Sequence, residues 1–274
     1  MSSNKSPTPA DYDFLRAFVA SHTGIELGPD RHYLVENRLL PLLPQFGFAS
    51  LHQLCLALEM ASPPPILRES VIHALSTHET SFFRDPEIFA ALRSTILPAL
   101  LSLHPARPLS LWSAAASSGQ EAYSLAILAA EMQLQPPPTI TATDISSTVL
   151  AQAATGRFTQ YELSRGLDNP ALLQRYFSPI PGGAAIRRDL LPPIHFLPLD
   201  LRFVPPDFPS FDLILCRNVL IYFDQVTRSR VIQHLTDHLL SGGFLLLGAA
   251  ETIWEDLPRM KKIQLNGHTC FQKL

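Results

Sequence analysis

The chain has 274 residues, 46% hydrophobic and only 16% charged, enough for one large or two small domains with packed cores. A formal net charge of −3 gives no electrostatic footprint for nucleic acid or for an anionic membrane surface. No apolar run is read as approaching the ~18 residues of a membrane helix. The start, "MSSNKSPTPADYDF", lacks a secretory signal's apolar stretch.

Three scattered cysteines, Cys55, Cys216 and Cys270, read as buried thiols of a reducing compartment. The ten histidines carry no HExxH motif, and no metal site is expected. These features predict a cytoplasmic protein without nucleic-acid partners or membrane insertion. The 25 prolines cluster at 62–65, 135–138, 191–194 and 204–209 and mark loops.

Residues 9 to about 77 read as helical. Asp11 or Asp13 can cap a first helix carrying Phe14, Leu15, Phe18 and Val19. Gly28-Pro29-Asp30 opens a second, which Pro41 and Pro44 should end early. A third spans 50–60 and a fourth runs from Ile66 to about Leu75.

From residue 109 the pattern becomes strand, loop, helix, repeated. Strands are predicted at 109–114, 139–144, 195–201, 211–218 and 242–250. Helices are predicted at 121–132, 146–154 and 227–239. This alternation predicts an α/β fold with a parallel sheet, which binds ligands beyond the carboxyl ends of its strands.

The unusual residues lie at those ends. "SAAASSGQE" (113–121) gives up side-chain bulk between strand and helix, letting backbone approach a ligand closely. It has neither the GxxxxGK[ST] nor the GxGxxG pattern. Glu121 at the helix start would repel a pyrophosphate and welcome a cation such as a sulfonium; its plainer reading is a dipole-complementing acid. Asp144 ends the second strand, either to accept ribose hydroxyls or to cap the next helix. The two acids together suggest an adenosine nucleoside with a cationic group, and S-adenosylmethionine fits.

Four stretches, "STHETSFFRDPEIF" (76–89), "WSAAASSGQEAYSLA" (112–126), "ATDIS" (142–146) and "FDLILCRNVLIYFD" (211–224), resemble the CheR family of chemotaxis methyltransferases. The resemblance implies an N-terminal all-α domain at 1–77. It also implies a Rossmann-like S-adenosylmethionine-dependent methyltransferase domain at 78–274, with a small inserted β-subdomain around 177–195.

It implies methyl transfer to glutamates on chemoreceptor cytoplasmic helices, leaving S-adenosylhomocysteine. His78, Thr80, Arg84, Glu121, Asp144, Asp200, Leu201, Asn218 and Val219 become cofactor-binding candidates, and Arg84 and Tyr222 catalytic ones. His78 stands where the family pattern usually has asparagine, and asparagine is also common at the position of Asp200. Read alone, Tyr222 could be a core aromatic and Arg84 a surface cation.

Arg31 and Arg38 are the candidates for substrate docking. Residues 1–76 nevertheless carry five basic against seven acidic side chains, where a domain steering toward an acidic helix should be basic. The expected protein is a monomer whose docking needs no receptor pentapeptide. The alternative is a catalytically weak, cofactor-binding scaffold of a chemosensory array.

Overall fold

The structure is a computed structural model that describes residues 7–28, 32–76, 79–253, 257–265 and 267–274. The chain divides into two compact units, residues 1–78 with 222–227, and residues 79–221 with 228–274.

The first unit is helical. α1 (Pro9–Thr23) starts from Thr8, whose hydroxyl accepts the Asp11 N–H while the Asp11 carboxylate accepts the Thr8 N–H. The expected cap is corrected here: Pro9, with no N–H to satisfy, takes the first helical position, so Asp11 falls three residues past the cap.

α2 (His32–Leu39) ends ahead of Pro41, as expected, and passes into a 3-10 segment, Leu40–Phe46. α3 (Leu51–Glu59) is capped by the Ser50 side chain, and α4 (Pro65–Leu75) completes the set. Leu15, Val19, Leu39, Leu54 and Val71 are fully buried together. The segment 222–227 joins this unit: Phe223 bridges Ile25, and the Glu26 N–H donates to the Tyr222 carbonyl at 2.9 Å.

The second unit opens with α5 (Pro86–Ala91), a π-helical turn at Leu92–Ile96 and α6 (Leu97–Leu103). This corrects the expected absence of long apolar runs, because Pro86–Leu103 is apolar and long enough to cross a membrane by length and composition. Its apolar residues Ile88, Phe89, Leu92, Ile96, Leu97 and Leu100 pack into the unit's main core with Leu111, Leu213 and Leu215.

The α/β elements follow. They are β1 (Ser110–Ala114), α7 (Gln120–Glu131), β2 (Thr139–Asp144), α8 (Ser147–Thr155), β3 (Arg157–Thr159), α9 (Gln160–Ser164) and α10 (Pro170–Tyr176). Then come β4 (Phe177–Ile180), β5 (Gly183–Ile186), β6 (Ile194–Pro198), β7 (Phe211–Cys216), α11 (Gln225–Asp237), β8 (Leu239–Leu247), β9 (Met260–Leu265) and β10 (His268–Lys273).

The main sheet runs β6-β2-β1-β7-β8-β10-β9. The first five strands are parallel, as expected, while β10 pairs antiparallel with both β8 and β9. The small inserted sheet is antiparallel, in the order β3-β5-β4. It takes its first strand from Arg157–Thr159, well upstream of the expected 177–195, and Ile194 and His195 belong to the main sheet instead.

Candidate active site

The chain runs from β1 out to β2 and β6, then returns to β7 on the other side of β1. Open parallel sheets bind ligands beyond the strand ends at such a switch point. Asp144 ends β2, and Glu121, Asp200 and Asn218 follow the ends of β1, β6 and β7.

The loop leaving β1 is tightly folded. Ala115 (φ 61°), Ser117 (φ 51°) and Gly119 (φ 93°) are left-handed, while Ala116, Ser117 and Ser118 are buried. The Ala116 N–H donates to the Thr143 carbonyl at 2.8 Å, and the Ser117 N–H to Asp144 Oδ2 at 2.9 Å. A Cβ on Gly119 would sit 2.9 Å from the Ala153 Cβ. The small residues are therefore what this turn between β1, β2 and α8 has room for.

Glu121 lies in the first turn of α7. Its Oε1 accepts from Ser113 Oγ at 2.7 Å and its Oε2 from Arg217 Nη1 at 2.9 Å. Arg217 Nη2 donates to the Arg84 carbonyl at 2.8 Å and to the Asp85 carboxylate. The Arg217 side chain is 2% exposed. One cation thus serves two carboxylates, and the cluster keeps one net negative charge.

The segment before α5 is fixed from several sides. Phe82 packs edge-on against Phe158 and Phe177, and its N–H donates to the Arg165 carbonyl. The Phe83 N–H donates to Ser124 Oγ at 2.9 Å. Phe83 (φ 45°) and Asp85 (φ 57°) are both left-handed. The Arg84 backbone is thereby brought to Arg217, while its guanidinium donates to the Glu79 carbonyl at 3.1 Å. Thr80 is half-buried in the same segment, and His78 lies outside the described residues.

Asp144 is 6% exposed and accepts one backbone N–H on each oxygen, from Ser117 and from Ser146 at 3.0 Å. Ser146, not Asp144, caps α8. A carboxylate has about four acceptor sites, so Asp144 retains capacity for ligand hydroxyls. Asp200 caps the 3-10 turn Leu201–Phe203 and pairs with Arg202 at 2.7 Å. Buried Leu201 gives its carbonyl to His234 Nδ1 at 3.0 Å.

Asn218 (φ 59°) follows β7, and its Oδ1 is buried without a partner among the described residues. The N–H groups of Asn218 and Val219 donate to Glu251. Sequence reading missed Glu251; its signal was an acid just past an apolar strand, the ground on which Asp144 was chosen. The Cys216 thiol is pushed well up by burial first, then by the charges of Glu251 and Glu121; it stays protonated and takes no nucleophilic part.

Tyr222 falls in the first unit, half-buried at the end of a 3-10 turn, Leu220–Tyr222. Arg38 Nη1 donates to the Ser76 carbonyl at 2.8 Å and more weakly to those of Leu75 and Ala74. It thus closes the C-terminus of α4, a structural task the sequence did not suggest. Arg31 lies outside the described residues.

A cationic nucleoside suits this chemistry. Among the described residues Asn218 Oδ1 has no donor, the Asp85–Arg217–Glu121 cluster lacks one positive charge, and Asp144 has acceptor sites left. S-Adenosylmethionine carries an exocyclic amine, an ammonium, a sulfonium and ribose hydroxyls.

Residues 78–268 match the family model "CheR methyltransferase, SAM binding domain", and residues 10–76 match "CheR methyltransferase, all-alpha domain". The family matches make this an S-adenosylmethionine-dependent methyltransferase. The chain belongs to the CheR methyltransferase family. It is 36% identical over 250 residues to "Chemotaxis protein methyltransferase Cher2" of Pseudomonas putida, covering 89% of this chain and 90% of that one. Identity is also 36%, over 255 residues, to "Chemotaxis protein methyltransferase 1" of Pseudomonas aeruginosa, with 90% and 92% covered. The "Chemotaxis protein methyltransferase" of Vibrio parahaemolyticus is 37% identical over 260 residues, with 93% of each chain covered.

Proposed function

We propose that this protein transfers the methyl group of S-adenosylmethionine to glutamate side chains on chemoreceptor cytoplasmic helices, giving glutamyl methyl esters. The reading is carried by the unbalanced Asp85–Arg217–Glu121 cluster at the strand-end crevice. Relatives named chemotaxis protein methyltransferases over nearly their whole length support it. The protein would act in the cytoplasm as a monomer, with residues 1–77 as the helical domain and 78–274 as the catalytic one.

Bound there, S-adenosylmethionine supplies an electrophilic methyl group. Asp144 would accept from the ribose, Asn218 from an amine, and Glu121 with Asp85 would balance the cationic end. Thr80, His78, Asp200, Leu201 and Val219 would line the remaining contacts. A glutamate carboxylate, with an ordinary pKa of about 4.3, is already ionised at neutral pH, so no protein base is needed. Arg84 and the Tyr222 hydroxyl would orient it, and orientation alone can be worth about 7–11 kcal/mol. Arg31 and Arg38 would meet the receptor helix, within what the α4 bonds leave Arg38 free to do.

The test is transfer of tritiated methyl from S-adenosylmethionine to membranes of the native organism, read as alkali-labile methanol. Label on a receptor-sized band is expected. Binding of S-adenosylhomocysteine without any label would replace this reading with the scaffold one, and absence of both would remove the site assignment.

A further inference from the structure

One carboxylate outside the expected set organises the strand-end crevice. Glu251 lies four residues beyond β8 and is 8% exposed. Its Oε2 accepts the N–H groups of Asn218 and Gly248, each at 2.7 Å. Its Oε1 accepts those of Val219 at 2.9 Å and Leu220 at 2.7 Å. With the longer bond from the Ile221 N–H at 3.4 Å, five backbone donors thus converge on one buried side chain, and hydrogen bonds to a charged acceptor are the strong ones.

Capping the turn at Leu220–Tyr222 would need the Val219, Leu220 and Ile221 bonds alone. The grip on Asn218 and Gly248 goes further. Asn218 is left-handed at φ 59°, a conformation asparagine adopts more readily than other residues bearing a Cβ, and the bond from its N–H to Glu251 fixes it there. Room for that hold comes from Gly248, where a Cβ would sit 2.8 Å from both Glu251 Oε2 and Asn218 Nδ2. The result is an Asn218 amide oxygen kept buried and, among the described residues, unpartnered.

We propose that Glu251 is a positioning residue of the cofactor site, acting through the Asn218 backbone to present that amide oxygen to S-adenosylmethionine. This rests on the reading of Asn218 as a cofactor contact. Glu251 itself touches no reacting atom. Glutamine in its place would keep the shape, but its NH₂ group would face backbone donors on one side whichever way the amide turned.

The test is calorimetric titration of S-adenosylhomocysteine into the full chain and into E251Q, N218A, their double variant and D212N. Asp212 is also buried and takes a backbone N–H, from Ser110, but it lies at the other end of the sheet with Arg107. E251Q should weaken binding by about tenfold or more, as loss of a charge-assisted contact implies. The double variant should bind within about threefold of N218A, because the two act as one unit. D212N should melt earlier yet bind like the wild type. Methyl transfer by E251Q should show the same rise in KM for S-adenosylmethionine.

If E251Q does not fold, G248A carries the test, since it crowds the same contact without removing the charge. Binding within about twofold of wild type in the folded variant, additive losses in the double variant, or an equal loss in D212N would each overturn the proposal. Because the titration uses no methyl acceptor, its failure is separable from failure to label receptors.

Discussion

Replacing Glu121 by glutamine removes one of two carboxylates that share Arg217. In the native cluster the ratio is two acids to one base; in E121Q it becomes one to one. Arg217, 2% exposed, keeps Asp85 as its counter-ion, so no buried charge is stranded and the fold should lose only about 1 kcal/mol, the worth of an ordinary hydrogen bond. The cofactor's cationic end loses the excess negative charge that would balance it. Charged hydrogen-bonding partners are worth about 1.5–3 kcal/mol, which is about 10- to 150-fold in Kd. The assay is calorimetry with S-adenosylmethionine and S-adenosylhomocysteine beside a thermal melt. The loss should be larger for S-adenosylmethionine, whose sulfonium carries the positive charge that S-adenosylhomocysteine lacks. Equal affinities in wild type and variant, with the melt unchanged, would refute the placement of the cofactor's cation at this cluster.

The reverse change, Arg217→Met, should be far more damaging, since it strands both acids. Breaking a buried pair costs about 3–5 kcal/mol, and the 28% exposure of Asp85 argues for the lower end. A fall in Tm of about 6–12 °C follows for a unit of this size, checked by calorimetric melting. Tyr222→Phe should lower kcat by about tenfold or less, the worth of one hydrogen bond, with Kd for S-adenosylhomocysteine unchanged; a large loss of that affinity would contradict its assigned role. Burial opposes ionisation of Asp11, but hydrogen bonds from His52 and Thr8 outweigh it and hold its carboxyl below the ordinary value. The native state therefore binds fewer protons than the unfolded one at Asp11 near that value, and the stabilisation is present above it and lost as pH falls. Acid unfolding of D11N should show a shallower dependence below about pH 4.

Much of the parallel core was legible because its signals are local. The β-branched run "TITATD" coincides with β2, and α7 starts one residue before the predicted helix. Glu121 and Asp144 stood out because polar residues at strand ends and helix starts break an apolar pattern. The inserted sheet was less legible: its strands are only three or four residues long and are interrupted by Pro179 and Gly182-Gly183, too short for a period to register. β9 and β10 were missed as well, since charged residues such as Lys261 and Lys262 mask the alternation on an edge. Two roles were set by distant partners, although the place of Glu251 just past an apolar strand was itself a signal. Arg38 meets carbonyls 36 to 38 residues away, and Glu251 meets N–H groups more than 30 residues upstream, so only the folded chain brings them together.

Among the described residues, six other than glycine have positive φ, and five of them, Phe83, Asp85, Ala115, Ser117 and Asn218, flank the strand-end crevice. Each such conformation costs about 1–3 kcal/mol, held in place by the surrounding core. Glycine at Ala115 or Ser117 would relieve that cost, yet it would also let the loop wander from the shape that meets Asp144. Selection for hardiness and selection for turnover would therefore pull these five positions in opposite directions.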